Sequence, residues 1–361
     1  MRKMVIPMLV VFSLFFFAAA VSAKMVIKVA NAGPDTPDNR TVKSFEIFKH
    51  NVEKRSNGQL EVQTFHARKL GDEREMMEGV RMGTIEMIFV SSGPIPGFFQ
   101  PVMVFDIPFM FSSAPAAWEL FEGEFGDEFK AEFLKQTGVR CLSITENGFR
   151  HFTNNIRPLK TPADMRGLKV RTMQNPAHMA MTKALGADPT PIPFGELYMA
   201  LQQGVVDGME CPIVLIHDMK FYEVQKYMVL NGHLYNPLFT MVNDRWFNRL
   251  TPELRQVVEE EAVLVGRTHN GFSQQANIEG EDKLRSHGME IYKPTLEELA
   301  MFRELAQPAG LEFITEKVGK EWVDKALNAA KKAEEKVGDR ADEIVQETIA
   351  MANDLLQKVR Q

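Results

Sequence analysis

The chain has 361 residues, a formal charge of −6 and two cysteines, Cys141 and Cys211. A mildly acidic surface without a basic stripe argues against nucleic acid as a partner. The cysteine spacing fits no metal or redox motif, and the eight histidines form no HExxH or His/Cys cluster, so neither a metal nor any other cofactor is expected and both thiols are expected to be free and buried.

The N-terminus comes first in chain order. Arg2 and Lys3, an apolar stretch from Val5 to Ala20 and the small-residue site Val21-Ser22-Ala23 follow the pattern of a secretory signal peptide. The apolar run is shorter than the ~20 residues a membrane span needs. Residues 1–23 are therefore expected to be removed, leaving a periplasmic protein that starts at Lys24. Loss of Arg2 and Lys3 takes the charge from −6 to −8. The 338 residues that remain after removing 23 from 361 exceed what one core usually supports, so two domains are expected.

Strand and helix patterns then alternate. "VIKVAN" (26–31) reads as a strand, 41–58 as a helix with Val42, Phe45, Phe48 and Val52 on one face, and "LEVQTFH" (60–66) as an alternating strand. A short helix over 72–83 and a strand over 85–90 complete a βαβαβ rhythm, which implies a parallel sheet with helices on both faces and ligands at the strands' carboxyl ends. Asn31, Glu73 and Ser91 fall at or just after those ends. A second α/β unit follows, with strands over 139–145 and 168–172, a helix over 175–186, an extended link over 189–193 and a helix over 194–204. "VVDG" (205–208) reads as a very short strand, with Glu210 and Cys211 just beyond its end. From Thr251 the pattern changes to long helices: one over 252 to about 287, one capped by Thr295 and Glu298, and a charged helical stretch over 320–361 that reads as a solvated face.

No phosphate loop, nucleophile elbow or acid–base dyad is present. Arginines at strand ends are the conspicuous feature: Arg150 closes "ENGFR" and Arg171 closes "GLKVR". An arginine buried there must be paired, and its planar fork suits a carboxylate. The residues leave two uses open, a structural salt bridge to Glu73, Glu146 or Glu210, or a grip on a ligand's carboxylate.

"RGLKVRTMQNPAHMAMTKALGADPTPIPFGELYMALQQGVVDGMECP" (166–212) resembles the solute-binding receptors of tripartite ATP-independent periplasmic (TRAP) transporters. "ARKLGDEREMMEGVRMGTIEM" (67–87) and "FYEVQKYMVLNGHLYNP" (221–237) resemble further segments of that family, and the likeness runs from about residue 26 to 330. The resemblance implies an α/β fold of two lobes closing on a ligand, joined by crossing strands and a long helix. One lobe would take 24–148 with about 236–270, the other 149–235 with about 271–330, and 331–361 would form a C-terminal helix. It implies that Arg171 holds a ligand carboxylate, that Arg150 is a second, more variable contact, that Phe194 packs on the ligand body, and that Asn31, Glu73, Ser91 and Gln174 are polar contacts. Asp207, Gly208 and Glu210 would be architectural, with Gly208 supplying backbone freedom and the acids bonding backbone or lysine.

The chain departs from the family pattern at Cys211, where relatives usually carry asparagine. Cysteine is a small hydrophobe with a weak donor, so a less polar pocket is expected, one suited to a bulky or aromatic monocarboxylate. C4-dicarboxylates, 2-oxo acids and sugar acids remain open. The implied partners are the organic acid and the membrane permease subunits of a TRAP transporter, with the receptor itself a monomer. Presentation of the ligand to a sensor kinase is the alternative, and a secreted enzyme lacks any catalytic set.

Overall fold

The computed structural model describes residues 24–361, so the expected signal peptide lies outside the described residues. In chain order it forms β1 (Met25–Asn31), α1 (Arg40–Arg55), β2 (Leu60–Phe65), α2 (Glu73–Met82) and β3 (Met87–Ser91). Two 3-10 turns lead to α3 (Ala114–Glu122), α4 (Glu124–Thr137) and the long β4 (Val139–Asn154). Then come β5 (Lys169–Thr172), α5 (Pro176–Ala184), β6 (Asp188–Pro191), α6 (Leu197–Gln202), β7 (Gly208–Pro212) and α7 (Ile213–Asp218). The chain ends with β8 (Tyr227–Asn243), α8 (Asp244–Phe247), α9 (Pro252–Ser286), β9 (Glu290–Tyr292), α10 (Leu296–Val318), α11 (Lys320–Val337) and α12 (Ala341–Arg360).

Local chemistry accounts for most of these boundaries. Asn39 accepts from the amides of Thr41 and Val42 and so starts α1, while Phe45, Phe48 and Val52 turn inward. Asp72 and Glu75 form a capping box at the head of α2. Thr251 caps α9, whose 35 residues contribute to the apolar clusters of both halves.

One sheet holds the strands in the order β2-β1-β3-β8-β4-β7-β5-β6, with β9 beside β8. Its two ends are parallel, β2-β1-β3 on one side and β7-β5-β6 on the other. Between them β8 and β4 run antiparallel to each other and to their outer neighbours. Separate apolar clusters lie under the two ends: Phe45, Phe48 and Leu60 with Val258 and Val265 of α9 in the first half, and Leu197, Ile216 and Phe221 with Leu284 of α9 in the second. The long strands and α9 are thus the elements shared by both halves.

The pairing of β4 with β8 shifts between Glu146 and Gly148, opposite Pro237 and Asn236. Gly148 takes a φ of +121° there, open to glycine and strained for other residues. This bulge sits where the two halves meet.

Two expectations need correcting. The strand read at 205–208 begins at Gly208 instead: Val205 is 53 % exposed and the run from Gly208 to Pro212 is wholly buried. Glu210 and Cys211 therefore lie within the strand. Gly208 is required for close approach, not for backbone freedom, because a Cβ there would stand 2.1 Å from the carbonyl oxygen of Thr153 on β4. The C-terminal stretch is two helices, not one, interrupted at Gly338, and it is not simply a solvated face. Val323, Ala326, Ala330, Ala333 and Val337 line one side of α11 and pack into the core of the first half.

Among the described residues no helix is long and apolar enough to cross a membrane.

Candidate ligand-binding site

A cavity lies between the two halves, where the carboxyl ends of β1, β3 and β5 converge with β4 and β7. Asn31, Glu73, Ser91, Arg150, Arg171, Phe194 and Cys211 all line it. Gln174 does not. In the extended segment after β5 successive side chains alternate, so Met173 takes the inward position and Gln174 is exposed in a neighbouring opening beside Asp72 and Arg74.

Arg171 is 2 % exposed. Its Nε donates to the carbonyl of Ile192 at 2.9 Å, which fixes the plane of the guanidinium. No carboxylate of the described residues comes within salt-bridge distance of it, and the end-on pair Nη1 and Nη2 makes no hydrogen bond to them. Burial pulls its pKa below the usual arginine value, with Glu210 and Glu73 acting only at longer range. A charge buried with an empty fork edge is a poor structural element and a good anion receptor.

Arg150, 1 % exposed, is in the opposite condition. It forms a bidentate ion pair with Glu210 through Nε and Nη2, the latter 3.0 Å from Oε1, and also reaches the Glu210 carbonyl at 2.6 Å and Asn236 Oδ1 at 3.3 Å. Of the three acids open to a structural salt bridge, Glu210 is the arginine's counterion, and it does not bond backbone or lysine as the family resemblance implied. Burial would push its carboxyl up, but Arg150 and His178 outweigh that and hold it well below the usual carboxylate range. His178 in turn donates from Nε2 to Asp106 at 3.0 Å, and Asp106 with Glu210 overcomes burial to raise the imidazole to about 9. Asp207 does bond backbone, accepting from the Lys169 amide at 2.8 Å.

Glu73 accepts from the amide and hydroxyl of Ser91, at 2.6 and 2.8 Å, and burial pushes its carboxyl up. Asn31 donates from Nδ2 to His66 Nδ1 at 2.8 Å, while its buried Oδ1 has no partner. Cys211 and Cys141 are unpaired and buried, and burial raises their thiols to about 11 and about 12. Cys211, Met173, Phe194, Leu215 and Leu238 give the cavity an apolar side.

The halves touch around the rim. Asp72 accepts from the Gly195 amide at 2.8 Å, Asn39 donates to Asp218 at 3.0 Å, and the Arg68 guanidinium lies 6.0 Å from the Phe194 ring. These contacts bridge the two halves beside the cavity.

Sequence reasoning missed one charged residue in the lining. Arg40, 4 % exposed, donates to the Asn147 carbonyl (3.0 Å), Asn147 Oδ1 (2.7 Å) and Ser273 Oγ (2.9 Å). It stands at the first position of α1, where a cation opposes the helix dipole. That misplacement is the signal that could have found it.

The sequence profile of the bacterial extracellular solute-binding proteins, family 7, matches residues 32–317. The chain is 39 % identical over 248 residues to a solute-binding protein of Verminephrobacter eiseniae, covering 69 % of this chain and 74 % of that one. Its fold is similar to the sugar acid binding protein DctPAm of Advenella mimigardefordensis in complex with galactonate, at a TM-score of 0.82 and 33 % identity over 86 % of this chain and 99 % of that one. It is similar also to a TRAP periplasmic solute-binding protein of Polaromonas sp. JS666 bound to D-erythronate, at a TM-score of 0.79 and 33 % identity over 84 % and 98 %. The chain belongs to family 7 of the bacterial extracellular solute-binding proteins, and its two halves are the two lobes of the TRAP receptor fold.

Proposed function

From that membership we propose that the protein is the periplasmic receptor of a TRAP-type transporter, capturing an organic acid between its lobes and delivering it to the membrane permease subunits. One observation carries the reading of the site: Arg171 is buried at the cavity wall with the end-on edge of its fork unfilled. A carboxylate there would make two charge-assisted hydrogen bonds and neutralise the charge. Glu73 and Ser91 would contact the ligand from the first lobe and Phe194 would cover its body. Arg150 is assigned to holding Glu210, and so to shaping the wall behind the ligand. The bulge at Gly148, opposite Asn236, would be the hinge, dividing the chain near the boundaries expected from sequence.

The ligand class follows from the lining. A bulky or aromatic monocarboxylate accounts for Phe194, Cys211 and Leu215, and leaves the polar side formed by Asn31, Arg40 and Asn147 unused. An acid bearing further oxygen atoms uses both sides. The bound galactonate and D-erythronate of the two structural relatives are acids of that kind.

The test is native mass spectrometry of the protein as purified. Wild type is expected to retain a small acid that Arg171→Ala, purified identically, does not retain. Equal retention by both would remove Arg171 from the site.

A further inference from the structure

Met173 follows β5 in the second half, yet its side chain ends against the first half, just beyond β3. Its Sδ lies 3.7 Å from Ser91 Oγ. Ser91 has one hydroxyl proton and gives it to Glu73 at 2.8 Å, so the sulfur contact is packing and not a second hydrogen bond. The seat beneath the sulfur is Gly93. A Cβ at that position would stand 2.8 Å from Met173 Sδ and 3.2 Å from Met173 Cβ. Non-bonded carbon atoms prefer about 3.5–4.0 Å, so any side chain there would unseat the thioether. Gly93 has no left-handed φ. The close approach is therefore what the position requires of glycine.

Two openings share this wall. Glu73, Arg171, Met173 and Phe194 line both the cavity and the neighbouring opening at the rim, whereas Gly93 and Gln174 line only the outer one. Three of the four shared side chains are braced. Ser91 holds Glu73, the Ile192 carbonyl holds Arg171, and the Phe194 ring rests 6.2 Å from that of Phe221. The Met173 side chain is held by packing alone. It is 7 % exposed, next to the exposed Gln174. An unbranched thioether with three rotatable bonds can leave such a seat without disturbing the backbone.

We propose that Met173 is the seal of this cavity: its thioether, carried by the second half, seats on Gly93 of the first half and shuts the cavity off from the outer opening, and vacating that seat is the step that admits or releases the ligand. The inference rests on the receptor reading for what the cavity holds, and adds to it the residue that governs access. Met173 and Gly93 act here as positioning residues, one supplying the plug and the other the room for it.

Access can be read without any ligand, from the two thiols. Cys211 lines the cavity, Cys141 lies in the apolar core of the first half, and both are buried. Protein dialysed free of bound acid is labelled with iodoacetamide, and peptide mass spectrometry gives a rate for each cysteine. Met173→Ala is expected to label Cys211 about tenfold faster than wild type, equivalent to about 1.4 kcal/mol of opening free energy, with Cys141 unchanged. Gly93→Ala should accelerate Cys211 at least about threefold by unseating the sulfur, but less than about twofold when added to Met173→Ala, because the atom it displaces is already gone. Wild-type rates at Cys211 in both single variants would overturn the proposal. Equal acceleration of Cys141 would also overturn it, since access would then come from loss of the fold. So would effects of the two substitutions that simply multiply. None of these results touches the receptor reading, which falls only if Arg171→Ala binds acids as wild type does.

Discussion

Arg150 on β4 and Arg171 on β5 flank the same strand, β7, and are equally buried. Glu210 of β7 binds the first bidentately and reaches the second only at long range. One arginine belongs to a closed chain of charges, Arg150–Glu210–His178–Asp106, that ties β4 and β7 to α5 and the first half. The other ends in an empty fork edge at a cavity. Burial therefore does not separate the two arginines, because both share it. The missing counterion at Arg171 does.

This contrast can be broken at the paired side, where the largest effect is expected. Glu210→Ala leaves Arg150 and His178 buried without their partner, and loss of one member of a buried pair costs roughly 3–5 kcal/mol. Chemical denaturation of ligand-free protein should show that loss, and should show Arg171→Ala unchanged or more stable, since an uncompensated charge has been removed. Equal destabilisation by the two variants would erase the distinction.

The charge chain also predicts a pH dependence. His178 is raised to about 9 from an ordinary 6.5, so the native state holds its proton more tightly than the unfolded chain. Its contribution is fully present below about 6.5 and lost as pH rises through 9, on the order of 3 kcal/mol. His178→Asn should flatten the fall in unfolding free energy between those values. A variant with the wild-type slope would show that the charge lies elsewhere.

A smaller effect is expected at the rim. Asp218→Ala removes the bond from Asn39 that joins the lobes, worth about 1 kcal/mol, and should weaken ligand binding about fivefold without altering ligand preference. Small-angle scattering should show a larger open population in the unliganded variant than in wild type.

Much of this was legible in the sequence, and what was not has physical causes. The first βαβαβ unit and α9 announce themselves through caps and apolar periodicity. β8 does not, because a strand buried on both faces shows no alternation, and Gly232 and Pro237 interrupt it. The inward face of α11 is mostly alanine, which hardly registers as apolar. At the site, strand ends placed Asn31, Ser91 and Arg171, but only the fold shows which arginine Glu210 takes. Arg40 lies 131 residues from Arg171 and reads as an ordinary helix-start residue until the lobes are brought together.

The central claim, that Arg171 is unpaired because its partner is the ligand, is tested most directly by calorimetry on Arg171→Ala with the acid identified from the purified protein. A loss of roughly 2–5 kcal/mol of binding, about 30- to several-thousand-fold, is predicted. Arg171→Lys should recover little of it, since a point charge does not reproduce the fork. Affinity of Arg171→Ala within about threefold of wild type, less than 1 kcal/mol, would contradict the account.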